Sequence, residues 1–313
     1  MGAGSEDLFG DAAAIEPAVP GSYGQAPAGF RLPEAMRLGP VRLQVADLER
    51  SLTCYRDVLG LRVLDHADGR ARLGSHGDLR PLVDLMERRG ARRAAPRHGL
   101  YHFATLLPTR ADLGRFVRHL GEAGVRAGAA DHLVSEAFYL TDPDGLGIEV
   151  YADRPREAWT RVGRELRMAT DPVDVRGLMQ AAGDVRWDGM PSGTVIGHVH
   201  LHVGDTARAG AFYGDRMGFD RMVWRYPGAL FLAAGGYHHH LGANTWAGPT
   251  ATAPAPDEAQ LLAWTMELPA AADVASLAAS LGAGGVAVRP IGDAAFEVRD
   301  PWGTAVVVRQ VPS

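Results

Sequence analysis

The stretch VADLERSLTCYRDVLGLRV, residues 45–63, returns as VGDTARAGAFYGDRMGFDR at residues 203–221. Asp47 matches Asp205, Tyr55 matches Tyr213 and Gly60 matches Gly218, each at an offset of 158. Further on, LPTRADLGRFVRHLGEAG from Leu107 matches LPAAADVASLAASLGAGG from Leu268 at an offset of 161. FYLTDPDG from Phe138 matches FEVRDPWG from Phe296, again at 158. Self-similarity of this length fixes the folding unit before any strand or helix is assigned.

Each unit reads alike. A short alternating strand such as HVHLHV or HFATLL comes first. An Asp or Thr-Arg-Ala-Asp capping region then opens a helix with apolar residues at helical spacing. Three short strands follow, divided by Gly and Asp-Pro turns. Four such βαβββ units fall at about residues 39–90, 98–154, 195–248 and 259–311. One helix and four strands cannot cover both faces of their own sheet, so two units must lie side by side and form a cupped half-barrel. The expected fold is α+β with two such half-barrels, and the inside of a cup is a natural pocket for a metal and a small ligand. Residues 1–38, rich in Ala, Gly and Pro without a period, read as a poorly ordered arm. Residues 155–194, with REAWTRVGRELRMA and DPVDVRGLMQAAG, read as a helical linker between residues 39–154 and 195–313.

With 313 residues, 46% hydrophobic and 22% charged, the composition is that of a globular protein. A net charge of -5 gives no reason to expect nucleic acid as a partner. The basic run RRGARRAAPR, Arg88–Arg97, reads as a solvated loop, with a subunit contact as the other possibility. The single cysteine, Cys54, allows no internal disulfide and sits in an amphipathic helical run, as a small packing residue would. No signal-peptide pattern is read, and no run approaches the roughly 18 apolar residues of a membrane span. A soluble cytoplasmic protein is the expectation.

Chemistry concentrates in histidines and one carboxylate. Residues two apart on a strand share a face, so His198, His200 and His202 all point the same way. A row of three imidazoles is unusual as mere packing, because His is only intermediate in its tendency to be buried. Glu149 lies inside the apolar run IEV, where a buried carboxylate needs a partner, either a metal or an arginine.

The repeat, together with GHVHLHVGD, GGYHHHLGANTW, DHLVSEAFYLTDPDGLGIEVYADRP and LYHFATLLP, resembles the vicinal oxygen chelate superfamily of glyoxalases, bleomycin-resistance proteins and extradiol dioxygenases. Within it the chain is most similar to the catechol 2,3-dioxygenases, over nearly all residues after 38. The resemblance implies His102, Glu149 and His198 as metal ligands. Two histidines and one carboxylate would leave about three positions open on an octahedral ion. The other units lack counterparts: Pro40 stands for His198, Ala263 for His102 and Val307 for Glu149. Pairing unit 1 with 2 and unit 3 with 4 would split the set; the favoured pairing of unit 2 with unit 3 assembles it whole, within one chain or across subunits, and leaves units 1 and 4 as a scaffold.

The resemblance further implies His239, from the His238–His239–His240 run taken as the last strand of unit 3, as the acid–base histidine, with His238 or His240 as the alternative inward member. It implies Tyr139 and His132 as catalytic contacts; otherwise they are a strand aromatic and a solvated loop residue. His200, His202 and His240 are expected to contact substrate. The implied activity is extradiol cleavage of a catechol by iron(II) and dioxygen, with manganese(II) also compatible with the ligands, in a homo-oligomeric enzyme. Two rivals keep the fold. One is a metal-dependent glyoxalase or isomerase, which takes a fourth ligand from the matching last strand. The other is a metal-free binding protein with an aromatic groove drawn from Trp224, Trp246 and Trp264.

Overall fold

The computed structural model describes residues 4, 8 and 14–311. Strand β1 (Ile15–Pro17) precedes four βαβββ units. The first unit is β2 (Arg37–Val45), α1 (Leu48–Thr53), β3 (Arg62–Ala67), β4 (Arg70–Gly74) and β5 (Pro81–Glu87). The second is β6 (Gly99–Leu106), α2 (Arg110–Glu122), β7 (Gly128–Asp131), β8 (Ser135–Thr141) and β9 (Gly147–Asp153). A connector follows, with β10 (Thr160–Val162), β11 (Glu165–Leu166) and α3 (Val175–Ala182). The third unit is β12 (Val195–His202), α4 (Thr206–Ala209), β13 (Asp220–Val223), β14 (Ala229–Ala233) and β15 (Leu241–Asn244). The fourth is β16 (Gln260–Leu268), α5 (Ala271–Ala283), β17 (Val288–Gly292), β18 (Ala295–Arg299) and β19 (Ala305–Gln310).

The helices begin where a side chain satisfies a free backbone N–H. Asp47 accepts from Arg50 N at 2.9 Å and Asp205 from Arg208 N at 2.6 Å. Thr109 accepts from Asp112 N at 3.1 Å. Helices α1 and α4 each widen into a π turn, Cys54–Val58 and Gly210–Arg216. Each ends at a glycine with positive φ, 79° at Gly60 and 89° at Gly218, a conformation glycine adopts without steric cost.

The α+β fold is built on two eight-stranded sheets. One runs β13-β14-β15-β12-β6-β9-β8-β7, and the other β17-β18-β19-β16-β2-β5-β4-β3. Unit 3 thus joins unit 2 through the antiparallel pair β12–β6, and unit 4 joins unit 1 through β16–β2. One apolar core spans both sheets and the helices. It takes Val199 and Leu201 from β12, Phe103 from β6, Val41 and Leu43 from β2, and Trp264 from β16. The alternate positions of β12 face the other way, so His198, His200 and His202 share the cup. Two buried bonds fasten one sheet to the other: Tyr55 donates to Asp142 at 3.2 Å and Tyr213 to Asp300 at 2.9 Å. Each joins the helical segment of one sheet to the Asp-Pro turn of the other, at repeat-related positions.

Two expectations require correction. The disordered-arm reading fails for residues 14–36, while the rest of residues 1–13 lies outside the described residues apart from Gly4 and Leu8. Strand β1 pairs with β10, Gln25 bridges Arg221, and Tyr23, Leu32 and Met36 are buried. Composition missed this because the segment gains its order from the sheet it crosses: Tyr23 donates to Gly236 O at 2.7 Å. The connector is also less helical than its spacing suggests. REAWTRVGRELRMA forms a 3-10 turn at Arg156–Ala158 and the hairpin β10–β11, because Gly163 turns the chain at φ 62°. The Arg88–Arg97 run is a largely exposed loop, as its composition suggests, anchored where Arg92 and Arg97 reach the buried Glu258.

Candidate metal centre and ligand pocket

Strands β9, β6 and β12 lie side by side, and their register gathers the candidate ligands. Ala104 on β6 faces Glu149 on one side and His198 on the other, while His102 is two residues along β6. Alanine at the centre of this row leaves the space above it to the three longer side chains. His102 Nε2 lies 2.9 Å from Glu149 Oε2, His198 Nε2 lies 3.1 Å from the same oxygen, and the two imidazole nitrogens are 3.3 Å apart. An octahedral ion with bonds of about 2.1 Å needs adjacent ligands about 3.0 Å apart. All three edges match that spacing, so the three donor atoms would suit such an ion.

All three residues are at most 5% exposed. Burial alone would raise the Glu149 carboxyl, but the flanking His198 and His102 rings outweigh it and hold the group well below the ordinary range. Burial lowers both imidazoles against the pull of Glu149. An ionised carboxylate beside two neutral imidazoles is the protonation state in which such groups bind a metal. The residues therefore fit a divalent cation. His198 Nδ1 is buried without a hydrogen-bond partner, and its ring is held by packing, 4.9 Å from Tyr151 and 4.1 Å from His239 between centroids.

A cavity of about 240 Å³ opens beside the triad. His102 and Glu149 stand at one end with Tyr139, His132, His200 and His239. Tyr139 pairs with Glu149 across β8–β9 and donates its hydroxyl to His132 Nε2. His132 Nδ1 donates to Ala169 O at 2.6 Å. Burial, then the Glu149 charge, pushes the Tyr139 phenol well above its ordinary pKa, so it stays protonated. His200 Nε2 is buried without a protein partner.

The remaining histidines divide. His239 lines the cavity, and its Nδ1 lies 2.7 Å from His238 Nδ1. His238 Nε2 lies 2.9 Å from Asp153 Oδ1, which also accepts from Tyr237 at 3.2 Å. The expected placement on a strand is not observed: His238–His240 form the turn before β15, so period-two alternation does not apply to them. The expected substrate contact by His240 is also not observed. Its Nδ1 accepts from Ala234 N at 3.2 Å, its ring packs on Tyr237, and it does not line the cavity. His202 lies outside the main cavity too, donating to Asn244 Oδ1 at 2.7 Å and lining an adjoining cleft with Tyr101 and His102. Of the proposed groove tryptophans, only Trp246 lines the cavity; Trp264 is fully buried in the other sheet.

Several residues escaped the sequence reading. Asp153 and Tyr151 follow Glu149 at spacings of four and two on β9, a shared face that alternation could have revealed. Met168 and Thr170 from the connector and Tyr226 and Phe231 from unit 3 line the cavity without any local motif. Gly242 pairs with His200 as Glu149 pairs with Ala104, so a glycine occupies the place of a fourth ligand on the last strand of unit 3. A Cβ there would sit 2.7 Å from the His200 ring, so the imidazole uses the space that a ligand side chain would need.

The comparisons with known proteins agree with this architecture. Residues 37–150 and 195–308 match the family model for the glyoxalase/bleomycin resistance protein/dioxygenase superfamily. A catechol-2,3-dioxygenase of Bacillus subtilis (strain 168) is 44% identical over 280 residues, 88% of this chain and 97% of that protein. Among solved structures, a putative dioxygenase of Bacillus subtilis subsp. subtilis str. 168 superposes with a TM-score of 0.63 at 16% identity, covering 91% of this chain and 87% of the other. Glyoxalase I of Zea mays gives 0.54 at 16% identity, with 88% and 92% covered. Two of the four repeat units thus supply one buried His-His-Glu set, and the chain belongs to the glyoxalase/bleomycin resistance protein/dioxygenase superfamily.

Proposed function

We propose that the chain is an extradiol dioxygenase that converts a catechol and dioxygen into a 2-hydroxymuconic semialdehyde. The observation that carries this is the triangle of donor atoms, with edges of 2.9–3.3 Å, at the end of an aromatic-walled cavity. The 44% identical relative named a catechol-2,3-dioxygenase supports the choice of reaction. His102, Glu149 and His198 would hold iron(II), which supplies the redox chemistry coupling the electrons of the catechol to dioxygen.

The chain's own residues manage binding and protons. Asp153 can only accept, so His238 carries its proton on Nε2 and presents a bare Nδ1. That nitrogen accepts from His239 Nδ1, which leaves His239 Nε2 as the unprotonated face. Burial, and then the neighbouring His198, push the His239 imidazole well below its ordinary pKa, so it stays neutral and its bare Nε2 is placed to take a phenolic proton and return it later in the reaction. Tyr139 and His132 form one hydrogen-bonded unit that orients the oxygen side of the ligand. His200 offers its unpartnered Nε2 to the same ligand. The aromatic walls exclude water from the reacting end. A glyoxalase-type reaction is disfavoured by Gly242, which provides no fourth ligand.

The test is anaerobic reconstitution with iron(II), followed by catechol and oxygen. Yellow product with equal oxygen uptake, lost in His198→Ala, supports the reading. One bound iron per chain without oxygen uptake for any diol would overturn it.

A further inference from the structure

The turn that carries His239 is gripped from outside the cavity by two distant segments of the chain. We propose that Tyr23 and Arg156 are positioning residues, which hold that turn by its two glycine carbonyls and so fix the place of the His239 imidazole. The inference rests on the dioxygenase reading, in which His239 takes and returns a phenolic proton.

The turn joins β14 to β15 and begins Gly235-Gly236, directly before Tyr237 and the three histidines. Gly235 and Gly236 take φ of 60° and 65°, where residues with side chains are rarely found. Two such residues in succession bring no side chain of their own to lock the backbone. The lock comes from elsewhere. Tyr23 donates its hydroxyl to Gly236 O at 2.7 Å, and Arg156 Nη1 donates to Gly235 O at 3.3 Å. A Cβ on Gly235 would lie 2.7 Å from Glu34 O, so the N-terminal segment runs directly against the turn. The Arg156 guanidinium sits 5.4 Å from the Trp159 ring centre and 5.8 Å from that of Tyr237, within reach of both aromatic faces.

The gripping residues are themselves anchored. Tyr23 is buried in one apolar cluster with Trp159 and Tyr237. The chain on either side of it is tied down, with Ala18 N donating to Trp159 O at 2.9 Å and Gln25 N to Arg221 O at 2.8 Å. Neither Tyr23 nor Arg156 lines the cavity, so neither touches a ligand there, and any effect on the reaction passes through the turn. His239 is held by its side chain through His238 to Asp153, and by its backbone through this turn. A reacting group displaced by about 1 Å can cost on the order of 100-fold in rate. His239 is not among the three metal ligands, so the loss should fall on turnover and spare the metal.

The experiment compares the iron(II)-loaded parent with Tyr23→Phe and Arg156→Ala. Oxygen uptake with catechol gives kcat and KM, in water and in deuterium oxide, and calorimetry gives manganese(II) affinity. Tyr23→Phe keeps the ring in its cluster and removes only the donated hydroxyl; Arg156 is exposed, so its removal leaves the core intact. Each variant should lower kcat at least about fivefold, with KM and manganese affinity within about twofold of the parent. The solvent isotope effect on kcat should rise above the parent value, because proton transfer becomes the slow step. Full turnover in both variants would overturn the inference and leave the dioxygenase reading intact. A lower kcat with an unchanged isotope effect would also overturn it, since a merely structural role predicts that result. A parent that binds one iron and cleaves no diol would overturn the dioxygenase reading, and the inference with it.

Discussion

Gly197 sits immediately before His198 at an irregularity in the β12–β6 pairing. A Cβ there would lie 1.9 Å from the Tyr151 hydroxyl oxygen, 2.7 Å from Tyr151 Cζ and 3.0 Å from Leu106 Cβ. Ordinary contact begins near 3.4 Å, so in Gly197→Ala the hydroxyl must retreat by about 1.5 Å. It has no room to do so. Tyr151 is fully buried, bonds Tyr237 Oη at 2.7 Å, and packs on the His198 ring. Losing that buried bond costs about 1–3 kcal/mol, and overpacking adds about 1–3 kcal/mol. At roughly 2 °C per kcal/mol for a chain of this size, the metal-free melting temperature should fall by about 4–12 °C. Displacing the ring that steadies His198 should also weaken metal binding at least about tenfold. Thermal melts of metal-free protein and calorimetric titration with manganese(II) measure the two effects. Tyr151→Phe removes the nearest atom, so the double variant should be more stable than the summed losses by about 1 kcal/mol or more. Gly39, the repeat counterpart, is the control. Its Cβ would meet mainly the Thr265 side chain at 2.9 Å, so Gly39→Ala should leave metal affinity unchanged. A Gly197→Ala protein that melts within about 1 °C of the parent and binds manganese equally would refute the steric reasoning.

Asp153 accepts from His238 and Tyr237 through one oxygen, so Asp153→Asn can keep that oxygen in place and should retain most turnover. Asp153→Ala should lower kcat by about 10–100-fold at unchanged metal content, by analogy with other orienting partners; equal losses in both would refute the tautomer argument. Glu149→Gln keeps the shape but removes the charged ligand, and manganese affinity should drop at least about 100-fold by calorimetry. Burial raises the Asp142 carboxyl to about 6, so the folded chain holds a proton that the unfolded chain releases near pH 4. Its contribution is fully present below pH 4 and is lost as pH rises through about 6, so urea melts should show the stability of the parent relative to Asp142→Asn declining across that window. Tyr55→Phe, which removes the hydroxyl donated to Asp142, should cost about 1–3 kcal/mol in the same melts at pH 7. Glu267→Ala in the other sheet leaves the half-exposed Arg37 and Arg309 to water and should cost about 1–2 kcal/mol without changing manganese affinity.

Much of the architecture was legible because its signals are local and repeated. The capping Asp47 and Asp205, the glycines at 60 and 218, and the Asp-Pro turns each impose their own backbone and recur at one offset. His102 and His198 stand on the first strands of their units and Glu149 on a last strand, and the resemblance to the extradiol dioxygenases named them before their separation of 2.9–3.3 Å was seen. What escaped depends on contacts between distant segments. Residues 14–36 carry no periodicity, and their order comes from strand pairing with β10 and burial of Tyr23 against unit 3. The connector carries enough apolar residues to suggest a helix, but Gly163 at positive φ turns it into a hairpin. The histidine run misled for a related reason. His238–His240 precede the strand, so their directions are set by Asp153 and Ala234 rather than by pleat.

The two sheets show how one repeat can carry two kinds of work. In the sheet of units 2 and 3, the cup holds groups whose hydrogen bonding is incomplete within the protein: His200 Nε2, His198 Nδ1, and a carboxylate shared by two imidazoles. Such groups are costly to bury, and a metal and a ligand would offset that cost. In the sheet of units 1 and 4, Pro40, Ala263 and Val307 stand at the ligand stations. There the buried carboxylates Glu267 and Asp84 are saturated by arginines, Arg37 with Arg309 and Arg42 with Arg70. Carboxylates already held by arginines have little to offer a metal. The Tyr55–Asp142 and Tyr213–Asp300 bonds then couple that sheet to the turns and helical segments around the reactive one. The register of β6, β9 and β12, on which three ligand distances near 3 Å depend, is therefore backed by a second copy of the same fold that carries no ligand residues at those stations.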